Sequence, residues 1–227
     1  MRIRCFAVLA LSAGVVSSAS ATTVFQNTFD NGYFTPFNAS TPSAVRYADS
    51  GWFGFGGDSP VGLQSITLGL AVAGSSRLGS TDLAFTFNDG DPAQIDFGSG
   101  AVLYASTVRV DLPDTSELGG PSFFTVTIPL PGVVTTGGFN NVGWSVGVSN
   151  FDSDGSLGFQ CSSAFGQNLG FYTNNAAFFN GSSWSQFSFG SGAFGVANFV
   201  AEINAVPAPA AVLPLAGLAM AGRRRRR

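Results

Sequence analysis

The side chains in this sequence that could do acid–base or metal chemistry are almost all carboxylates. Asp82, Asp89, Asp91, Asp96, Asp111, Asp114, Glu117, Asp152 and Asp154 lie in its middle. Two carboxyl groups held roughly 5–9.5 Å apart across a glycosidic bond could hydrolyse it. Most of these acids, however, stand beside Gly, Pro, Asn or Ser, where an Asp side chain ordinarily caps the backbone N–H groups of a turn. Nothing in their surroundings marks one as an acid of raised pKa. The chain has no histidine and no lysine. That removes Ser-His-Asp and Cys-His catalysis, nearly all catalytic zinc sites, lysine Schiff bases and the Gly-x-x-x-x-Gly-Lys phosphate loop. Gly54-Phe55-Gly56-Gly57 has neither the spacing nor the strand–helix setting of a dinucleotide loop. The expectation is a protein that is not an enzyme and has no organic cofactor.

Calcium is the metal these residue types suit best, because a hard cation takes carboxylate and carbonyl oxygens. Asp152-Ser153-Asp154-Gly155 has the opening of a twelve-residue calcium loop but no glutamate near its twelfth position. Asn88, Asp89 and Asp91 form a second acidic loop. Asp152, Asp154, Asp89 and Asp91 are therefore weak calcium candidates. Exposed tryptophans can stack on sugar rings, and Trp52 and Trp184 sit in Gly/Ser-rich stretches as tentative glycan contacts. Packing at the rim of a core is the commoner fate of so large a side chain. Trp144 alternates with Val142 and Val146, which places it in the core. Cys161 alternates with Leu157 and Phe159 and reads as a small buried hydrophobe.

Charge is distributed unevenly. Seven of the ten arginines are terminal: Arg2, Arg4 and Arg223 to Arg227. Between Thr22 and Gly222, Arg46, Arg77 and Arg109 face all thirteen acids, a balance of −10. Such a body repels nucleic-acid phosphates and anionic lipid surfaces, so no nucleic acid is expected as a partner.

The elements that must position these residues read as strands. Ile66, Leu68, Leu70 and Val72 share one face, as do Leu83, Phe85 and Phe87. Phe124, Val126, Ile128 and Leu130 alternate likewise, and so do Val142, Trp144, Val146 and Val148. Val102, Tyr104, Val108 and Val110 nearly keep one phase. Shorter runs surround Phe25, Trp52, Phe159, Phe171 and Trp184. Period-two alternation predicts strands with one packed and one solvated face. The last run, Phe194 to Ile203, changes phase between Val196 and Phe199, which predicts a β-bulge near Ala197-Asn198. Turn signals separate the runs at Asn88 to Pro92, Pro113-Asp114, Gly119 to Pro121, Pro131-Gly132, Gly137-Gly138 and Asp154-Gly155. Phe165 to Phe194 reads as short strands joined by long polar turns. No helical period appears in the body. The fold class expected is all-β, an antiparallel β-sandwich of jelly-roll type. A membrane barrel needs longer strands with a continuous apolar outer band, and these runs are too short and their loops too irregular.

Both ends look like addresses. Arg2 and Arg4, the apolar stretch Cys5 to Val16 and the small-x-small Ala19-Ser20-Ala21 make an N-terminal signal peptide cut after Ala21. Cys5 would leave with it, so Cys161 would have no intramolecular disulfide partner. At the other end, Val206-Pro207-Ala208-Pro209 precedes the uncharged apolar run Ala210 to Gly222. Arg223, Arg224, Arg225, Arg226 and Arg227 close the chain. Counted from Val206 the uncharged stretch is at the lower edge of spanning length, and the arginines would stop its transfer.

This ending resembles the PEP-CTERM sorting signal of exported bacterial proteins, with Ala208 where that family usually has glutamate. The resemblance implies an inner-membrane-anchored precursor with a short C-terminal transmembrane helix. It also implies processing near Pro207–Pro209 by an exosortase-type membrane peptidase, and release to the surface or extracellular matrix. The segments Ser65 to Leu70, Asp82 to Gly90, Phe124 to Pro131 and Val142 to Val146 are similar to the jelly-roll ectodomains called choice-of-anchor domains. The organisation expected is a signal peptide over 1–21, one β-sandwich over 22–205 and a sorting tail over 206–227. The function expected is that of a non-enzymatic surface or biofilm-matrix protein in contact with exopolysaccharide. A secreted carbohydrate-binding module, with calcium as a candidate stabiliser, is the alternative.

Overall fold

A computed structural model describes residues 21–37, 45–53, 60–95, 98–135, 141–162, 169–172, 176–186 and 197–206. Every regular element among them is a strand: β1 (Thr22–Asn27), β2 (Phe34–Pro36), β3 (Arg46–Trp52), β4 (Gly62–Ala73), β5 (Gly79–Gly90), β6 (Gly98–Leu112), β7 (Ser122–Pro129), β8 (Asn141–Asp152), β9 (Ser156–Ser162), β10 (Phe171–Tyr172), β11 (Ala177–Phe179), β12 (Trp184–Gln186), β13 (Asn198–Phe199) and β14 (Ala201–Val206). They form two antiparallel sheets. One runs β1-β14-β4-β9-β13, with β2 also on β9 and β7 also on β4. The other runs β12-β11-β3-β8-β5-β6, with β10 also on β3.

The alternating runs supply the core between the sheets. Ile66, Leu68, Leu70 and Val72 from the first sheet, and Leu83, Phe85, Phe87, Val142, Trp144 and Val146 from the second, are all buried in one cluster. Rings meet across the gap: Phe25 lies edge-on to Trp144 at 5.7 Å, and Tyr47 edge-on to Phe199 at 5.6 Å. Burying a side chain of this size stabilises a fold by about 1.5–3 kcal/mol. That is the main force joining the two layers.

Strand direction sorts the connections to two ends. Thr22 pairs with Ala205, and Val206 pairs with Gly62, so β1 begins and β14 ends side by side. The turns 74–78, 113–121 and 153–155 gather at the opposite end, where Ala73 pairs with Ser156, Val72 with Ser122 and Gly79 with Leu112.

Three expectations need correction. The phase change before Ile203 is a change of neighbour rather than a bulge at Ala197-Asn198. β13 pairs with β9 through Asn198 and Phe199, the chain crosses at Val200, and β14 then pairs with β4. Val200 donates its N–H to Gln160 O at 3.0 Å and accepts the Gly69 N–H at 2.9 Å, which ties the crossing to both strands. The register shift in its pairing lies later, between Asn204 and Ala205, and the extra residue is Gln64 of the neighbouring β4. Val102 does not share the phase of Tyr104. Phe87 pairs with Tyr104 and Asn88 with Val102, so Leu103 is an extra residue and Val102 turns outward, 58% exposed. Lastly, the central strands are not half solvated. Val142–Gly147 of β8 and Leu157–Ser162 of β9 are buried on both faces. Apart from Gln160, their outer positions are small residues over which neighbours lie. A Cβ at Gly147 would meet Arg46 Cγ at 3.1 Å, and one at Gly143 would meet Pro92 Cδ at 2.7 Å.

Candidate functional site

Of the candidate acids, Asp91, Asp114, Glu117 and Asp154 lie in turns, while Asp82, Asp89, Asp111 and Asp152 lie in strands; most of them are engaged by neighbouring groups. At the turn end, Asp154 accepts the Ser76 N–H at 3.1 Å, the Ser75 hydroxyl at 3.1 Å and the Ser76 hydroxyl. The Ser76 hydroxyl, then its N–H, draw the Asp154 carboxyl down to about 2. Asp152 accepts Arg77 Nη2 at 2.5 Å, an exposed ion pair that lowers the carboxyl's pKa. Ser75 and Thr115 exchange hydrogen bonds: Ser75 N–H to Thr115 Oγ1 at 2.9 Å and Thr115 N–H to Ser75 O at 3.0 Å. Three turns are welded by this network. Asp114 accepts the N–H of Ser116 at 2.8 Å.

The second acidic loop caps itself. Asp91 accepts the N–H groups of Ala93 and Ile95 at 2.8 and 2.7 Å, and Asp89 accepts the Ser99 hydroxyl at 2.8 Å. Asp89 and Asp152 stand near opposite ends of β5, where Ser80 pairs with Asp152. At ~3.3 Å per residue the two calcium candidates are roughly 30 Å apart. Among the described residues no three His, Cys, Asp or Glu side chains come together as a metal-holding group. Asp82 accepts Arg109 Nη1 at 3.1 Å and Asn150 Nδ2 at 2.6 Å. Asn150 sits in the left-handed region (φ 48) as the extra residue of β8 opposite Ser80–Asp82. Asp96 lies outside the described residues.

The two candidate glycan contacts share one face. Arg46 and Trp52 project to the outer side of β3, away from Tyr47 and Asp49. Phe179 pairs with Arg46, Trp184 with Phe179, and Phe171 with Trp52. Each tryptophan is half-buried against a phenylalanine: Trp52 against Phe171 at 5.6 Å, Trp184 against Phe179 at 5.3 Å. From Arg46 a polar track leads away from these pairs, across β8 and β5 to β6. Arg46 Nη2 donates to Ser145 Oγ at 2.8 Å and Ala84 O at 3.2 Å. Ser145 Oγ meets Thr86 Oγ1 at 2.8 Å, Thr86 donates to Asn88 Oδ1 at 2.9 Å, and Asn88 Nδ2 donates to Gly100 O at 2.9 Å. Four strands are crossed by one chain of hydrogen bonds. Ala48, Ser50, Ser145 and Asn88 on this floor are buried, so the partly open ground is at the two aromatic pairs. Sequence reasoning found the tryptophans but not Arg46. Its signal was its place at the start of the run that ends in Trp52.

Sequence reasoning also passed over Asp49. It is buried, beside Trp144 in the β3–β8 register, and accepts the N–H groups of Phe199 at 3.0 Å and Ser50 at 2.9 Å. Burial pushes its carboxyl well above the usual range, against the opposing pull of those two N–H groups. Tyr172 donates its hydroxyl to Phe199 O, and burial, then the nearby Asp49, hold its own pKa well up. Both backbone groups of Phe199 are thus bound by side chains from the other sheet. Cys161 is buried, as its alternation predicts, and burial pushes its thiol up to about 11, which leaves it unreactive near neutral pH.

Among the described residues no helix is long and apolar enough to cross a membrane. The signal residue Ala19, the motif residues Pro207, Ala208 and Pro209, and the arginines Arg223 to Arg227 lie outside the described residues. Ala21 and Val206 are the outermost described positions. Comparison with family models, with curated proteins and with solved structures finds no match for this chain.

Proposed function

We propose that this chain is an exported, non-enzymatic bacterial surface or extracellular-matrix protein. Its two-sheet body is of jelly-roll type, and its C-terminal tail holds the precursor in the inner membrane until an exosortase-type peptidase cuts near Pro207–Pro209. The observation that carries this reading is the fit between fold and address segments. β1 starts at Thr22, immediately after the Ala19-Ser20-Ala21 cleavage pattern, and β14 is paired as far as Val206, the last described residue, so the pairs Thr22–Ala205 and Val206–Gly62 both lie between the two expected cuts. Cuts after Ala21 and within Pro207–Pro209 would leave every described strand intact. The use of most described turn carboxylates in closing their own turns supports a structural body over a hydrolase. The intact mass of the released protein tests the proposal: both ends trimmed supports it, and a full-length C-terminus refutes it.

A second reading, a carbohydrate-binding body, draws on one feature: Trp52/Phe171 and Trp184/Phe179 lie along one side of β3, on the face that also carries the polar track. Along β3 and across β11 and β12 the two aromatic pairs are roughly 20 Å apart, so they would hold separate points of an extended exopolysaccharide rather than one ring. Titration with soluble polysaccharide fragments, with and without chelator, tests it. Equal weak or absent binding by the parent chain and by Trp52→Ala would sink it.

A further inference from the structure

β6 is the terminal strand of the second sheet, and among the described residues nothing pairs with its outer edge. Its register with β5 is unbroken from Gly79–Leu112 to Phe87–Tyr104, so this half of the strand is a regular edge. An exposed regular edge presents unpaired N–H and C=O groups that another strand can bind, and proteins usually guard such edges with like charges, proline or bulges. The bulge at Leu103 guards the other half of β6. This half carries instead two opposite charges one residue apart. Arg109 and Asp111 face the same side, opposite Asp82 and Ser80. The Arg109 side chain is 52% exposed even while it reaches Asp82 and Ser80. Asp111 is exposed, with no hydrogen bond or ion pair to the described residues.

We infer that β6 pairs antiparallel with β6 of a second copy of this chain, about a two-fold axis at Val110. In that register Arg109 stands opposite the partner's Asp111, and the partner's Arg109 stands opposite Asp111. Val108 stands opposite the partner's Leu112 on the inner side. Five residues overlap, an ordinary strand length. Charge selects this register. Moving the axis to residue 109 would set Arg109 against itself, and moving it to residue 111 would do the same to Asp111, both unfavourable for directly opposed like charges. The remaining surface, with its strong excess of acid, repels a second copy. The two sheets would then join into one continuous sheet spanning both copies, a closed isologous pair. The inference rests on the β6 edge and not on the export reading.

Sedimentation velocity of the full chain in mild detergent tests it. The parent chain should show a concentration-dependent dimer. Asp111→Arg alone and Arg109→Asp alone should each weaken it at least about tenfold, since each replaces two attractive pairs by two repulsive ones. An equimolar mixture of the two variants should recover the dimer, because every cross-pair is again Arg with Asp. Asp111→Arg alters an exposed side chain with no partner among the described residues, so it carries the test if Arg109→Asp does not fold. A parent chain that stays monomeric at about 100 µM, where even a weak ~10 µM association would show, overturns the inference. So does a dimer that Asp111→Arg leaves unchanged, or a mixture no better than either variant.

Discussion

Asp49, on one sheet, accepts the backbone N–H of Phe199, on the other, at 3.0 Å. With Tyr172 bound to Phe199 O, side chains of one layer take the place of a missing neighbour strand for the other. The junction where β13 hands over to β14 is therefore stapled from the opposite sheet by a carboxyl whose pKa burial raises well above the usual range.

A raised folded-state pKa fixes the sign of a pH effect. The folded chain keeps the Asp49 proton where the unfolded chain has lost it, so this contribution to stability is complete below about pH 4 and is lost as pH rises through the folded value. Melting temperature should therefore fall between mildly acidic and alkaline pH. Asp49→Asn, which retains an acceptor for Phe199, should flatten that slope. Thermal melts across pH check it, and an unchanged slope in Asp49→Asn would assign the effect elsewhere. Asp154, Asp152, Asp82 and Asp114 act in the opposite sense, their lowered values giving stability that is lost as pH falls below the usual carboxylate range.

Gly69 lies under the crossing at Val200. A Cβ there would meet Gln160 Oε1 at 2.6 Å and Val200 Cβ at 2.7 Å. Gln160 can swing aside, but Val200 Cβ is fixed to backbone that is bonded to both strands. Gly69→Ala should cost about 1–3 kcal/mol, the range for forced overpacking. Gly62, on the same strand with nothing within 4 Å of a Cβ, should accept alanine within about 0.5 kcal/mol. Equal denaturation midpoints for the two variants would contradict the crossing geometry.

Thr115 holds the turn end together. Thr115→Val should leave the buried Ser75 N–H without its acceptor, at about 1–3 kcal/mol. Because Asp152 and Asp154 are already occupied by Arg77, Ser75 and Ser76, added calcium or chelator should not move the melting temperature of the parent chain. A calcium-dependent rise would reopen the metal reading of that loop.

Much of the layer structure was legible because a strand between a core and a neighbour repeats every two residues. Ile66-Leu68-Leu70-Val72 and Leu83-Phe85-Phe87 declare their inner faces directly. Alternation does not say which strand lies beside which. The break before Ile203 was visible, yet only pairing distinguishes a bulge from the change of partner at Val200. Small outer residues such as Gly143 and Ser145 read as solvated, because sequence does not show that Arg46 and Pro92 lie over them. Asp49 was missed since acids were sought in turns. Its phase with Tyr47, which faces the core, was the available signal.

The intact mass of the protein released from expressing cells tests the central reading most directly. The account predicts a chain that begins at Thr22 and ends within Pro207–Pro209, with deletion of Arg223 to Arg227 changing that processing. A released chain that still carries Arg223 to Arg227 would contradict it.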